Sequence, residues 1–340
     1  MKKIRFALVG CGRISSKHYI PLRNHKRAEI SLICDKKKKR ITEYEELDKQ
    51  IPSTLKYDDV ITNDSIDIID LCTPSGLHPD MAIAAAKKGK HVLCEKPLAL
   101  SYKDALKVVQ CFKKNNVSLG IVFQNRLNPP IKYLKDKLTK GVLGKIQLIT
   151  ATVRWYRPDS YYHDEWHGKK VMDGGILFNQ ATHYVDMLLY LANKKVKSVY
   201  CKSATLGHKI EIDDAAILFL KFTDNTLGII EASTLSYPQN MEGSVTLQCK
   251  NGTVKIGGKA LDVIEYWEGA GKPQDFNKYR CSRKDNSVYG NSHDHIIDNM
   301  INHLSRKEKL VCSGSDALYA IKVIDAAYKS AKLGREVKVQ

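Results

Sequence analysis

The sequence predicts an α/β protein in two parts. Residues 1–123 form a doubly wound parallel sheet, and residues 124–340 form an α/β domain on a large, open-faced, mainly antiparallel sheet. Three observations carry that prediction. Short apolar runs alternate with helical stretches through the first part, a glycine pair closes the first of those runs, and strand-like runs with shorter connections follow from about Gly144. Strands that alternate with helices read as a parallel sheet, because parallel neighbours need a crossover connection between them.

Each element follows from its residues. Ile4 to Val9 is apolar without clean alternation, as in a strand buried on both faces. Gly10-Cys11-Gly12-Arg13-Ile14-Ser15 follows it, and then a helical stretch. The runs Ile30 to Cys34 and Ile66 to Cys72 end in Asp35 and in Thr73-Pro74-Ser75. An Ala-rich helix around Met81 to Lys88 leads to His91-Val92-Leu93-Cys94 and then Glu95-Lys96-Pro97. A helix over Lys103 to Lys113 and a strand over Val117 to Val122 complete the part. In the second part strands are expected at 147–155, 196–201, 215–222, 226–233, 244–248 and 253–256. Helices are expected at 177–191, 294–305 and 316–333. The boundary near residue 123 is a change of periodicity, without a low-complexity linker.

Composition bounds the class. Apolar content of 43% and charged content of 27% describe a globular protein. No apolar run approaches the ~20 residues that span a bilayer. The lysines at 2 and 3 and the short run after them lead into the glycine motif instead of a cleavage site, so the protein is expected in the cytoplasm, without a membrane partner. Nine cysteines with no CxxC pair fit a reducing compartment. The net charge of +18 is spread along the chain apart from Lys36 to Arg40, and no zinc-finger or RNA-binding motif accompanies it. A basic, solvated surface is the simpler reading, a nucleic-acid partner is not expected, and some of the charge would suit anionic small molecules.

The glycine loop stands in the context of a Rossmann fingerprint: strand, glycines, helix, then an acid about 20 residues on. Gly10 permits the tight turn, Gly12 lets the backbone approach a pyrophosphate, and the helix amides meet its charge. Ser15 replaces the third glycine and is still small. Asp35 would accept hydrogen bonds from the ribose hydroxyls and repel the extra phosphate of NADP. This favours NAD, although Lys36 and Lys37 offset that repulsion.

In the second part, Arg154 to His167 is dense in aromatic and cationic groups. It reads either as loop packing or, with Lys169 and Lys170, as a wall for an anion. His163 and His167 have helical metal-pair spacing but no third ligand, so no metal is expected. Asn179 and His183 would share one helix face, and Asp186 would orient the His183 ring.

Together, Gly10-Cys11-Gly12-Arg13-Ile14, Leu71 to His78, Glu95-Lys96-Pro97 and Asp173-Gly174-Gly175 with His183 and Asp186 resemble the glucose–fructose oxidoreductase, inositol dehydrogenase and rhizopine catabolism (Gfo/Idh/MocA) family over nearly the whole chain. The segments Val122 to Pro129, Val153 to Pro158 and Leu177 to His183 resemble its branch that oxidises carbon 3 of UDP-N-acetylglucosaminuronic acid (the WlbA/WbpB type), in nucleotide-sugar and cell-surface polysaccharide biosynthesis. The resemblance implies an NAD-dependent dehydrogenase with cofactor contacts at Gly10, Gly12, Arg13, Ile14, Asp35, Thr73, Pro74, His78, Glu95, Lys96 and Gln124. It implies Lys96 and His183 as the catalytic pair. Substrate contacts would come from Lys96, Asn179, His183, Arg157 and Tyr161. Many members carry aspartate four residues before the histidine, and Asn179 here leaves the proton relay to Lys96 and His183. Which of the two is the base stays open. So does recycling of the cofactor by 2-oxoglutarate, as does a dimeric or tetrameric assembly. Another sugar or cyclitol dehydrogenase of the family is the nearest alternative, and a non-catalytic dinucleotide-sensing regulator a more distant one.

Overall fold

The computed structural model describes residues 3–281 and 292–339. The chain divides into two compact units, residues 1–123 with 293–318, and residues 124–292 with 319–340.

In the first unit, β1 (Ile4–Val9), β2 (Ala28–Cys34), β3 (Ser53–Thr54), β4 (Ile68–Leu71), β5 (His91–Cys94) and β6 (Leu119–Ile121) form one sheet in the order β3-β2-β1-β4-β5-β6. Every pairing is parallel. The connecting helices are α1 (Ser15–Asn24), α2 (Lys38–Leu47), α3 (Tyr57–Ile61), α4 (His78–Lys87) and α5 (Tyr102–Lys114). The central strands are buried on both faces, with Phe6, Leu8, Ile68, Ile69 and Leu71 fully enclosed, which is why they lack alternation. Ser101 caps α5 by accepting the Asp104 amide at 3.1 Å, so the Cys94 to Ser101 stretch runs from a strand end to a helix start.

The second unit contains α6 (Pro129–Thr139), β7 (Ile146–Arg154), α7 (Thr182–Ala192), β8 (Val196–Ala204), β9 (Ala215–Phe222), β10 (Leu227–Ser233), β11 (Glu242–Cys249), β12 (Gly252–Gly257) and β13 (Val263–Gly269). After them in the chain come α8 (His293–Arg306), α9 (Gly314–Leu333) and β14 (Val337–Lys338). The sheet order is β13-β12-β11-β7-β10-β9-β8-β14. The β7–β10 pair is parallel and its other pairs are antiparallel. Along β9 buried and exposed residues alternate strictly, as one covered face requires.

Two expectations are corrected. α8 belongs to the first unit, although the sequence pattern places it in the second. Its Ile296, Ile297, Met300 and Ile301 are buried, it packs on α1, and the chain after it supplies the Cys312 carbonyl that accepts the Ile121 amide at 2.9 Å. The helix expected from Leu177 starts instead at Thr182. Gly174 and Gly175 have φ of +82° and +112°, and the residues after them close turns, with Asn179 donating its amide to the Gly175 carbonyl at 2.9 Å. Among the described residues no helix is long and apolar enough to cross a membrane.

Candidate active site

The glycine loop is shaped by close approach on one side and open space on the other. Gly10 has φ +93°, and a Cβ there would lie 2.7 Å from the Cys72 carbonyl carbon and oxygen. A Cβ on Gly12 would meet nothing within 4 Å, so this stretch of backbone is bare for a ligand to approach. Ser15 is buried, and its hydroxyl donates to the Gly12 carbonyl at 2.6 Å and pairs with the Tyr44 hydroxyl at 2.6 Å. No acidic residue stands in the first turn of α1 and no side chain caps it, which leaves its positive end to an anion. Arg13 is exposed beside it, with Ile14 half-buried.

Asp35 is buried at the tip of β2 and oriented by backbone. Its carboxylate accepts the Cys11 and Lys37 amides, each at 2.8 Å, with the Arg40 guanidinium 3.6 Å away. Each oxygen keeps a further lone pair for a ribose hydroxyl. Bare glycine backbone, an uncapped helix start and a fixed acid fit a dinucleotide.

Thr73 and Pro74 follow β4, and Pro74 is half-buried. His78 is buried, with Nδ1 2.7 Å from the Pro97 carbonyl oxygen and Nε2 2.8 Å from that of Thr73. It therefore stands between the two loops, and burial pushes its pKa below the ordinary value, so the neutral ring donates to one of the two carbonyls. Lys96 is half-buried, and the peptide joining it to Pro97 is cis. The Glu95 carboxylate turns inward to His18 at 3.0 Å and accepts the Lys96 amide at 3.1 Å.

In the second unit Asn179, Gln180 and His183 are all buried. Asn179 lies in the turns before α7, so it does not share a helix face with His183. Both Asp186 oxygens meet Arg126, at 2.9 and 2.5 Å, in a buried ion pair. Gln124, at the start of the same unit, is also buried.

Arg157 and Tyr161 are brought together. The guanidinium donates to Gln180 Oε1 at 2.9 Å and lies over the rings of Trp155 and Tyr161, 5.0 and 5.3 Å from their centroids. Gln180 in turn donates to the Tyr161 hydroxyl at 2.9 Å. Gln180, which bonds to both Arg157 and Tyr161, and Arg126, which pairs with Asp186, are residues that the sequence pattern does not single out. The polar run Asn179-Gln180 beside the glycine pair is the available signal for the first.

Asn179, Gln180 and Tyr162 line a small recess with Asp173 and Asp213. Burial, with a smaller effect from Asp173, raises the Asp213 carboxyl to about 7. Two sets of side chains have metal-like spacing among the described residues, His18 with Asp70 and Cys72, and His18 with Glu95 and His293. His163 and His167 belong to neither, and His167 pairs with Asp164 at 2.5 Å.

Comparison with known proteins bears on this arrangement. Residues 4–123 match the model of the oxidoreductase family with an NAD-binding Rossmann fold, and residues 131–255 match the GFO/IDH/MocA C-terminal domain. A WlbA dehydrogenase from Bordetella pertussis, solved with NADH and UDP-GlcNAcA, is 37% identical over 99% of this chain and 98% of its own, with a TM-score of 0.92. A WlbA dehydrogenase from Chromobacterium violaceum, solved with the same two ligands, is 34% identical over 99% and 96%, at a TM-score of 0.91. The myo-inositol 2-dehydrogenase of Thermotoga maritima is 26% identical over 99% of both chains. The chain belongs to the Gfo/Idh/MocA oxidoreductase family. It is an NAD-dependent dehydrogenase of the sugar and cyclitol class.

Proposed function

We propose that the chain oxidises the 3-hydroxyl of UDP-N-acetylglucosaminuronic acid to the 3-keto sugar. The observation that carries this reading is the full-length, 37% identity to a dehydrogenase solved with NADH and UDP-GlcNAcA. The arginine, glutamine and tyrosine cluster at residues 157, 180 and 161 supports it, because a planar guanidinium flanked by neutral donors suits a carboxylate or phosphate.

The dinucleotide would be held by Gly10, Gly12, Arg13 and Ile14 at its phosphates, by Asp35 at the ribose, and by Thr73, Pro74, Lys96 and Gln124 elsewhere. Its nicotinamide supplies the acceptor for the hydride from carbon 3. His78 and Glu95, with their polar groups turned onto neighbouring backbone and His18, serve it by holding these loops. The Lys96 ammonium donates to the reacting oxygen and stabilises charge that develops there. His183 accepts the hydroxyl proton, while Asn179 binds the sugar and Arg157 and Tyr161 its acidic groups. We read 2-oxoglutarate as a candidate acceptor that reoxidises cofactor in place.

Purified protein mixed with the UDP-sugar, with and without 2-oxoglutarate, tests this by absorbance of reduced nicotinamide. Lys96→Met and His183→Ala should each lower kcat by about 10²–10⁴-fold. Full turnover in both variants would remove the scheme. Silence with the UDP-sugar in protein that binds NAD, with reduction by a free sugar or cyclitol instead, would favour the second reading, which the inositol dehydrogenase likeness supports.

A further inference from the structure

Behind Lys96 lies a buried group that the proposed chemistry does not use. His18 stands on α1 with its ring 1% exposed. Its Nδ1 is 2.9 Å from an Asp70 oxygen at the end of β4, and its Nε2 is 3.0 Å from a Glu95 oxygen beyond β5. An ionised carboxylate can only accept a hydrogen bond. An imidazole that meets one at each nitrogen must therefore donate from both, which makes it an imidazolium. The second Glu95 oxygen accepts the Lys96 amide.

Every other titratable neighbour leaves that charge in place. Burial opposes charge on His18, but Asp70, chief among its neighbours, raises it well above the ordinary histidine value. Burial also works against the Glu95 carboxylate, yet the hydrogen bond and charge of His18, chief among its neighbours, bring it down to about 2. His293, on α8, stands edge-on to His18 with centroids 5.4 Å apart. Burial first, and then the charge of His18, with Lys17 and Lys96 adding to it, hold His293 neutral by lowering it to about 3. Burial keeps the Cys72 and Cys94 thiols protonated.

We propose that His18 is a positioning residue for Lys96: clamped between Asp70 and Glu95, it fixes the carboxylate on which the Lys96 amide is hung. The inference rests on the reading of Lys96 as a catalytic group. Displacement of a reacting group by about 1 Å can cost on the order of 10²-fold in rate, so the backbone that carries Lys96 is a place where such a clamp matters. His18, Glu95 and His293 offer three atoms within 4.8 Å of one another, but the direct His18–Glu95 contact makes the first two an ion pair.

The first test is independent of the sugar. Selective ¹⁵N labelling of histidine should show both His18 ring nitrogens still protonated at pH values where an ordinary histidine has lost its proton, and in Glu95→Gln the same ring should titrate closer to the ordinary value. Titration near pH 6.5 in the wild type would overturn the proposal, as would stoichiometric metal in the purified protein. The second test is kinetic. His18→Gln should lower kcat by about 10–100-fold while the Kd for NAD and the KM for the UDP-sugar move less than about 3-fold. The double variant His18→Gln, Glu95→Gln should recover part of kcat. The amide introduced at position 18 can donate to Asp70 and accept from the amide introduced at position 95, which keeps an oxygen for the Lys96 amide. Unchanged kcat in folded His18→Gln, or strictly additive losses in the double variant, would overturn it. If His18→Gln does not fold, the labelling experiment on the wild type and Glu95→Gln decides. Wild-type turnover in Lys96→Met would instead mark failure of the parent reading.

Discussion

Asp213 is a half-buried carboxyl. It accepts the Tyr328 hydroxyl at 3.2 Å, and burial is the largest reason its folded value rises to about 7 from 3.8. The sign of the stability effect follows from linkage. Below pH 3.8 the group is neutral in both folded and unfolded chains and carries no penalty. From there to about pH 7 the unfolded chain ionises while the folded one resists, and the penalty is complete above about 7. Asp213→Asn removes the charge and keeps an oxygen for the backbone. Its Tm should exceed the wild type's at pH 8, and the gain should shrink towards zero at pH 4. Thermal melts across that range check this, and a difference independent of pH would sink the assignment. Lys96 is legible in the sequence because lysine, proline and a strand end stand together there. Asp213 is not, since a single aspartate says nothing of its enclosure until Gly175 and Tyr328 are seen to surround it. A Cβ on Gly175 would strike both the Tyr328 hydroxyl and the Asp213 carboxylate.

Between elements, the Arg126–Asp186 pair joins the turn at Gln124–Leu127 to the middle of α7. Its side chains are 8% and 2% exposed. Removing one partner of a buried pair typically costs about 3–5 kcal/mol, since the other charge stays behind. Asp186→Asn should lose stability on that order by denaturant unfolding, whereas a loss below about 1 kcal/mol would show that water reaches the pair. β1, β2, β4, β5 and β6 are legible because burial leaves continuous apolar runs, and β9 because one covered face leaves alternation. β13 escapes the pattern, since Glu265, Tyr266, Glu268 and Gly269 are all exposed and the apolar signal shrinks to Ile264 and Trp267. α6 is absent from the sequence expectation although Pro129 and Pro130 open it, a position where proline favours a helix. The pattern starts α7 too early because the apolar residues Ile176, Leu177 and Phe178 extend it, while the positive φ of the two glycines turns the chain before the helix. Assigning α8 to the first unit depends on its packing against α1, a long-range fact that local periodicity does not contain.

At the scale of the whole molecule, the uncovered face of the eight-stranded sheet bears on assembly. Register places Tyr200, Phe219, Ile229, Thr150 and Thr246 side by side across β8, β9, β10, β7 and β11. Phe219 and Ile217 are each 48% exposed and Leu227 53%. Contiguous apolar and threonine side chains on an exposed face lose little on desolvation and gain by excluding water. Charge on the face is matched where Arg154 meets Glu231 at 2.7 Å and Glu242 at 3.2 Å. The net charge of +18 opposes self-association, and its repulsion is screened over about 10 Å at 0.1 M salt. The face therefore favours a second copy of the chain, in a dimer or, by pairing of dimers, a tetramer. Light scattering after size exclusion should give twice or four times the chain mass. Phe219→Arg places a charge in the centre of that row and should shift the mass towards one chain while the melting temperature in dilute solution changes little. A wild-type protein that runs as a monomer at tens of micromolar would remove the prediction. An unchanged oligomer in Phe219→Arg would move the interface off this face.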